Sequence, residues 1–134
     1  MAPYGMYLTI SGSLEEAKAR VVAALKAQGF GILTEIDVQK TLKEKIGADF
    51  EPYLILGACN PHLAHQALTA DRAIGLLLPC NVVLRSTGGA VEISILDPEV
   101  MFSVVEPQTQ KALAALPGEA KSRLEAALAA LKLR

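Results

Sequence analysis

The sequence predicts an α+β domain, in which a curved and largely antiparallel sheet carries its helices on one face. Five segments have the alternation or apolar character of strands, and they are interleaved with helical segments in the order β-α-β-α-β-α-β-β-α. The last two strands are joined by a glycine turn and form a hairpin, which breaks the strict alternation of a doubly wound parallel sheet. That parallel sheet is the alternative. A chain of 134 residues has the length of one domain, 1–134.

The first strand and the first helix have the clearest patterns. In YGMYLTIS every second residue is apolar, which is the period of a strand with one buried face. Ser13 and Glu16 have the spacing of a capping box. They predict a helix from about Leu14 to Gln28 that is stopped by Gly29.

The middle of the chain predicts two further strands, each followed by a helix. FGILTEID has the pattern of a strand, and Asp37 can cap a short helix that ends near Gly47. YLILGAC is almost continuously apolar, as an interior strand would be. Asn60 and Pro61 then suit a helix start, because asparagine accepts hydrogen bonds from free amides and proline has no amide to satisfy.

The remaining segments predict the hairpin and a C-terminal cover. IGLLLPCNVVLR and VEISILD are expected to be strands joined by the STGGA turn, and DPEV then turns the chain. Two helical segments follow, around Pro117 and Gly118. The last one places Leu124, Leu128 and Leu131 on one stripe, so it is expected to lie over the sheet.

Composition excludes several classes of partner. The net charge of −1 gives no general attraction to nucleic acid or to anionic membranes. The longest apolar segment, AIGLLLPCNVVL, is far shorter than the roughly 20 residues of a membrane-spanning helix, and no secretory signal is visible. We therefore expect a cytoplasmic protein without nucleic-acid or membrane partners. Exposed strand edges and an apolar content of 51% predict a homodimer.

Two Cys-Asn pairs stand out, because the chain has two cysteines and two asparagines and they form Cys59-Asn60 and Cys80-Asn81. Cys59 ends a predicted strand just before a helix cap, where the helix dipole favours a thiolate. Cys80 lies in a predicted strand after Pro79, and proline there implies an edge, a bulge or a strand start. A buried Asn81 amide would need hydrogen-bond partners.

The same stretches carry a resemblance to a known family. GFGILTEIDVQKTLKEKIG, PYLILGACNPHLA, IGLLLPCNVVLR and VEISILDPEVM resemble the bacterial and archaeal family of domains of unknown function numbered 302, from about Tyr7 to the C-terminal helix. The resemblance implies a β-α-β(4)-α arrangement of the TATA-binding-protein-like or helix-grip type, and no biochemical activity. Its motifs cover the GACNP and LPCN stretches together with Asp97, Pro98 and Met101, and they leave out His62 and His65.

Four kinds of site are compatible with these residues. Cys59, Cys80 and Met101 could hold a soft metal or a cofactor. Cys59, His62, His65 and Cys80 have the ligand types of a zinc site, although in an unusual spacing. The two thiols could carry disulfide exchange, or Cys59 could be a nucleophile with His62 as its base. An apolar cleft under the C-terminal helix could bind a small molecule.

We take a small ligand- or cofactor-binding protein as the leading hypothesis. Its predicted ligand-binding residues are Cys59, Asn60, Cys80, Asn81 and Met101. The alternatives are a thiol-based redox or nucleophilic enzyme that uses Cys59 and Cys80, and two structural core cysteines without a site. The hypothesis depends on the two sulfur atoms meeting at one accessible recess. The sequence identifies no catalytic residue, no cofactor and no particular ligand.

Overall fold

A five-stranded antiparallel sheet forms one layer of the protein, of which the computed structural model describes residues 1–132. The strands are β1 (Gly5–Ser11), β2 (Gly31–Asp37), β3 (Tyr53–Cys59), β4 (Cys80–Ser86) and β5 (Ala90–Leu96). Their order across the sheet is β1-β5-β4-β3-β2, and every neighbouring pair is antiparallel. The predicted α+β fold is confirmed, and the doubly wound parallel sheet is excluded.

Helices follow β1, β2, β3 and β5, which matches the order of strands and helices that the sequence predicted. The α-helices are α1 (Leu14–Ala27), α2 (Val38–Ile46), α3 (Pro61–Ala70), α4 (Pro98–Met101), α5 (Pro107–Ala112) and α6 (Leu116–Lys132). Short 3₁₀ segments span Arg72–Leu77 and Phe102–Val104. The segment expected only to turn the chain after β5 forms α4, with the Asp97 side chain accepting a hydrogen bond from the Glu99 amide.

The helix caps predicted for α1 and α2 are confirmed, because the side chain of each cap residue accepts a hydrogen bond from a backbone amide in the first turn. Ser13 and Glu16 form the capping box of α1. The Asp37 carboxylate accepts from the Lys40 amide at the start of α2, which ends at Gly47 in a left-handed conformation. These bonds satisfy amides that a helix start leaves without partners.

The hydrophobic core lies between α6, α1 and one face of the sheet, called here the inner face. Alternate residues of β4 and β5 point into it and are almost completely buried: Val82, Leu84, Val91, Ile93 and Ile95. The predicted stripe of α6 is confirmed, because Leu124, Leu128 and Leu131 are all buried in the same core. The side chains of the alternate residues in these strands point to the opposite face of the sheet, called here the outer face.

The strand expected over 74–85 is wrong in its first half. Arg72–Leu77 form a 3₁₀ segment, Leu78 and Pro79 connect it to the sheet through a cis peptide bond, and β4 begins at Cys80. The apolar run was ambiguous because a short buried helical turn and a strand have the same composition. Pro79 precedes the strand, so its missing amide costs no hydrogen bond within β4.

The edges of the sheet are β1 and β2. Leu33 and Ile36 on β2 are exposed, at 66% and 48%, and the pairing of β2 with β3 is irregular between Ile32 and Thr34. The homodimer expected from such edges stays a prediction.

Within residues 1–132 no helix is both long enough and apolar enough to cross a bilayer.

Gly57 is required by close packing on the outer face. A Cβ atom at this position would lie 2.2 Å from Thr34 Oγ1 and 2.7 Å from Pro79 Cγ. Thr34 is its partner on β2, and Pro79 leads into the neighbouring strand β4. Position 57 therefore requires glycine, because only a residue without a Cβ atom lets β2, β3 and the start of β4 approach each other this closely.

Substitution Gly57→Ala is expected to lower the free energy of unfolding by about 1–3 kcal/mol, because the added methyl group overlaps atoms on both sides. Gly31→Ala on β2 is the matched control, since nothing lies within 4 Å of its added Cβ. Urea denaturation of both variants measures the difference. Equal stability of the two variants would contradict the packing that we describe around Gly57.

Candidate functional site

A small apolar cavity lies at the end of the inner face where β3 stops and β4 starts. Its volume is about 50 Å³. The sheet contributes Ala58, α3 contributes Leu63, and Phe102 and Leu124 close it from the C-terminal part of the chain. None of the lining residues, all within the part of the chain that the structure describes, carries a charge. The cavity can therefore accept apolar groups and few others.

Four of the five residues predicted for ligand binding line this cavity. They are Cys59, Asn60, Cys80 and Met101. The fifth, Asn81, does not line it. Asn81 is exposed and is the Cα partner of Gly57, so it belongs to the outer face. The expectation that Asn81 is a buried amide in need of partners is therefore wrong. β4 begins at Cys80, whose side chain points inward, and alternation turns the next side chain, that of Asn81, outward.

The two cysteines reach the cavity wall from different faces. Cys80 is the Cα partner of Ala58, which is buried in the core, so its side chain points inward. Cys59 is the next residue after Ala58, and alternation turns its side chain to the outer face with that of Ile55. Cys59 lines the cavity at the end of β3. The two residues meet at one wall, but the two thiols do not point into the same space.

Cys80 is a buried neutral thiol. Its Sγ donates a hydrogen bond to the Leu96 carbonyl oxygen, 3.7 Å away. Burial disfavours the thiolate and raises the pKa of Cys80 to about 11. At neutral pH this side chain therefore behaves as a small apolar group with a polarisable sulfur atom.

The thiolate expected at Cys59 is not favoured. Burial raises the pKa of this thiol above its usual value, although Cys59 is partly exposed. The expectation rested on the dipole of α3, whose first free amides are already bound by Asn60. Neither cysteine has the lowered pKa that nucleophilic or redox catalysis would use.

Asn60 joins β3 to α3 and forms the polar boundary of the cavity. Its side chain is buried, and Oδ1 accepts hydrogen bonds from the His62 and Leu63 amides at 3.1 and 3.2 Å. Pro61 occupies the first helical position, as predicted. Because Oδ1 faces the amides of α3, Nδ2 points the other way, toward Gly29.

The zinc site considered for Cys59, His62, His65 and Cys80 is not assembled. Both histidines are exposed on α3, while Cys80 is buried beneath it. Among residues 1–132 no group of three or more His, Cys, Asp or Glu side chains is arranged to hold a metal ion. Cys59, Cys80 and Met101 are the sulfur-containing residues that line the cavity.

An ion-pair clamp holds α6 to α4 beside the cavity. Lys121 Nζ lies 3.0 Å from Asp97 Oδ2 and 3.2 Å from Glu99 Oε1. Hydrogen bonds to these two carboxylates raise the pKa of Lys121. Asp97 thus both caps α4 and pairs with Lys121 on α6, so its predicted role in a turn is only part of what it does.

Sequence reasoning missed several residues that shape the cavity. Ala64 and Ala67 on α3 and Ala120 on α6 are small side chains on faces that point toward it. Their helical spacing was visible in the sequence, but an alanine in a buried stripe has no chemistry that distinguishes a cavity from close packing. Phe30, between Gly29 and β2, was also missed because its place in the wall depends on tertiary contacts.

These features define a small α+β protein with an apolar cavity beneath its C-terminal helix. Residues 6–131 match the family described as "Domain of unknown function DUF302", and the chain belongs to this family. It is similar to the crystal structure of an uncharacterized conserved protein DUF302 from Bacillus stearothermophilus. The two chains are 29% identical, the similarity covers 95% of this chain and 97% of the other, and the TM-score is 0.81. No curated protein matches the chain. The family resemblance is confirmed, and the family description names no activity.

The raised pKa of Cys80 predicts a loss of stability at alkaline pH. Below its unfolded pKa of about 9 the thiol is neutral in both states, so its contribution to stability is fully present. Between this value and the folded pKa of about 11 only the unfolded chain ionises, and the contribution is lost. Relative to Cys80→Ala, the wild-type protein is expected to lose about 1 kcal/mol more between about pH 8 and pH 10.

Urea denaturation of both proteins across that pH interval measures the difference, because the other titrating groups are common to both. Cys59→Ala is the control, and it should change the pH dependence less because Cys59 is partly exposed. An identical pH dependence for wild type and Cys80→Ala would contradict the burial of this thiol.

Proposed function

We propose that the protein binds a small ligand in the apolar cavity between the sheet and α6. The observation that carries the proposal is the wall itself. It is uncharged and almost entirely buried, and it opens at the partly exposed residues Cys59, Ala64 and Leu78. Apolar walls with a few polar groups are typical of small-molecule sites, although most such sites are far larger, at roughly 300–1,000 Å³.

The size of the cavity limits what it can hold. One water molecule needs roughly 10–15 Å³ in the same measure, so about 50 Å³ has room for about three to five groups of that size. Water is a poor occupant, because a buried water needs two to four polar partners and the wall is mostly hydrocarbon. An apolar group of about three carbons fits better than water or an ion.

Asn60, Cys80 and Met101 are the proposed ligand contacts among the residues singled out from the sequence. Cys80 and Met101 supply polarisable sulfur atoms that pack well against hydrocarbon. Cys59 lies at the opening, where it is partly exposed. Asn81 is left out of the proposal because it lies on the outer face. The raised pKa of both thiols gives no support to a thiol enzyme as a second candidate.

Xenon is a suitable first probe, because it enters small apolar cavities and has no polar group. Under xenon pressure, we expect NMR chemical-shift changes at Ala58, Leu63 and Met101 that saturate together. Ala120→Val should weaken these changes by about tenfold, because the larger side chain occupies the cavity from α6. Changes of equal size in the variant would contradict binding at this place.

Ala129→Val is the matched control for Ala120→Val. Both substitutions lie on α6 and have the same cost in helix propensity, but Ala129 is exposed whereas Ala120 is 7% exposed and lines the cavity. The control should bind xenon as the wild type does. If xenon shifted no resonance of the wall in the wild-type protein, the proposed function would be wrong.

A further inference from the structure

The second edge of β1 is open to another strand. β1 is the last strand on its side of the sheet, and within residues 1–132 only β5 pairs with it. A cleft of about 250 Å³ follows the strand from Leu8 to Ser11, between Arg20 on α1 and the end of α6 at Leu131 and Lys132. The backbone of β1 is therefore accessible along this edge.

β1 lacks the features that usually keep an edge strand from pairing with another chain, which are bulges, charged side chains and prolines. Its seven residues pair with β5 without a shift in register, and they include no charged residue and no proline. The other edge strand, β2, has such features. Its pairing is irregular between Ile32 and Thr34, and it carries Glu35 and Asp37. Of the two edges, β1 is the one suited to pairing.

Two hydrogen bonds at the ends of β1 show which of its backbone groups face the open edge. The Gly12 amide donates to the Gly89 carbonyl oxygen at 3.1 Å, and the Asp97 amide donates to the Tyr4 carbonyl oxygen at 2.8 Å. Both bonds continue the register of β1 and β5, so the even-numbered residues of β1 direct their N–H and C=O groups to β5. The odd-numbered residues direct theirs to the open edge. Those whose amides have no acceptor within residues 1–132 are Tyr7, Thr9 and Ser11.

A second copy of β1 matches this edge. In an antiparallel pair around a twofold axis, the residues that exchange hydrogen bonds lie opposite each other, and opposite side chains share one face of the sheet. The register centred on Leu8 meets both conditions. It places Tyr7 opposite Thr9 of the second copy on the outer face, and Met6 opposite Ile10 on the inner face. Pairs of an aromatic and a β-branched residue are favourable across strands, and no charges of like sign lie opposite each other.

The size of the edge fits a weak dimer. A strand of seven residues is roughly 23 Å long, and a sheet with one layer of helices is roughly 20 Å thick. The edge therefore buries roughly 450 Å² on each copy and about 900 Å² in total, which is less than the roughly 1,600 Å² of a standard stable interface. Interfaces of this size occur in complexes that form and dissociate readily.

We propose that two copies of the chain form a weak dimer through β1, so that their two sheets become one antiparallel sheet of ten strands. The second copy is the partner because its β1 has the same length, the same lack of charge and hydrogen-bonding groups in matching positions. The dimer also covers the edge of the sheet that is the more prone to uncontrolled association. No residue of β1 lines the cavity, so the dimer and the proposed ligand site are tested separately.

Sedimentation of the full chain over a wide range of protein concentrations, followed by amide hydrogen exchange at both ends of that range, tests the dimer. The average mass is expected to rise toward twice that of the monomer as the concentration increases. The amides of Tyr7, Thr9 and Ser11 should exchange more slowly in the concentrated sample, because only the dimer gives them acceptors. The amides of Leu8 and Ile10 should be protected equally at both concentrations, because they donate to β5 in each state.

Two variants at one exposed position separate the edge hydrogen bonds from side-chain contacts. Thr9→Pro removes an amide that faces the open edge, and an edge strand tolerates proline where the amide faces solvent. It should weaken dimerisation about tenfold or more, because one hydrogen bond is lost from each copy. Thr9→Ala is the matched control. It loses the same side chain but keeps the amide, so it should dimerise nearly as the wild type does.

Three outcomes would refute the dimer through β1. The first is a chain that stays monomeric at the highest concentration, in which case the open edge serves another partner or none. The second is a dimer that forms equally well with Thr9→Pro. The third is a dimer in which the exchange of the Tyr7, Thr9 and Ser11 amides does not depend on concentration. The hydrogen-exchange result needs only the wild-type chain, so it decides the question even if Thr9→Pro fails to fold.

Discussion

The hydrogen bonds from the His62 and Leu63 amides to Asn60 Oδ1 are the interaction on which the candidate site depends. They tie the first turn of α3 to the residue that follows β3. They also orient the Asn60 side chain, because only its Oδ1 can accept from the amides of α3, and its Nδ2 then faces Gly29. A residue that caps a helix for ordinary reasons of stability thus also sets the polar boundary of the cavity. An alanine at this position would typically cost about 1 kcal/mol as a cap and would remove that boundary as well.

Strand alternation decides which of the conspicuous residues can act together. The pairing of Ala58 with Cys80 and of Gly57 with Asn81 means that one Cys-Asn pair sends its cysteine inward and its asparagine outward. In the other pair, Cys59 follows the inward-pointing Ala58, so the Cys59 side chain points outward. Asn60 comes after the end of β3, and its side chain turns inward where α3 begins. The inward residues are therefore Asn60 and Cys80, one from each pair. A repeated dipeptide in the sequence is not a repeated arrangement in space, because a shift of one residue reverses the side of the sheet that each side chain occupies.

Much of the fold could be predicted because its signals are local. The capping box at Ser13, the cap at Asn60 and the alternation in β1 and β5 each depend on residues within a few positions, and the structure has the same elements. The segment before Cys80 was mispredicted because apolar runs carry no period that separates a buried 3₁₀ turn from a strand. The cavity was anticipated only in outline. The sequence suggested that Cys80 and Met101 share one site. The side of the sheet on which Asn81 lies and the places of the small residues on α3 and α6 depend on register and tertiary packing, which the sequence does not encode locally.

The stability lost by leaving the cavity unfilled is smaller than the transfer energy that an apolar tail gains by entering it. At roughly 24 cal/mol per Å³, about 50 Å³ of unfilled volume destabilises the fold by about 1 kcal/mol. A domain with a typical stability of roughly 5–15 kcal/mol tolerates that cost. Each methylene group transferred into the space from water gains about 0.8 kcal/mol, so a tail of about three carbons gains about 2–3 kcal/mol. This energy alone binds weakly, since association costs several kcal/mol in lost freedom. Useful affinity therefore also requires a polar contact, for which the cavity wall offers the side chain of Asn60.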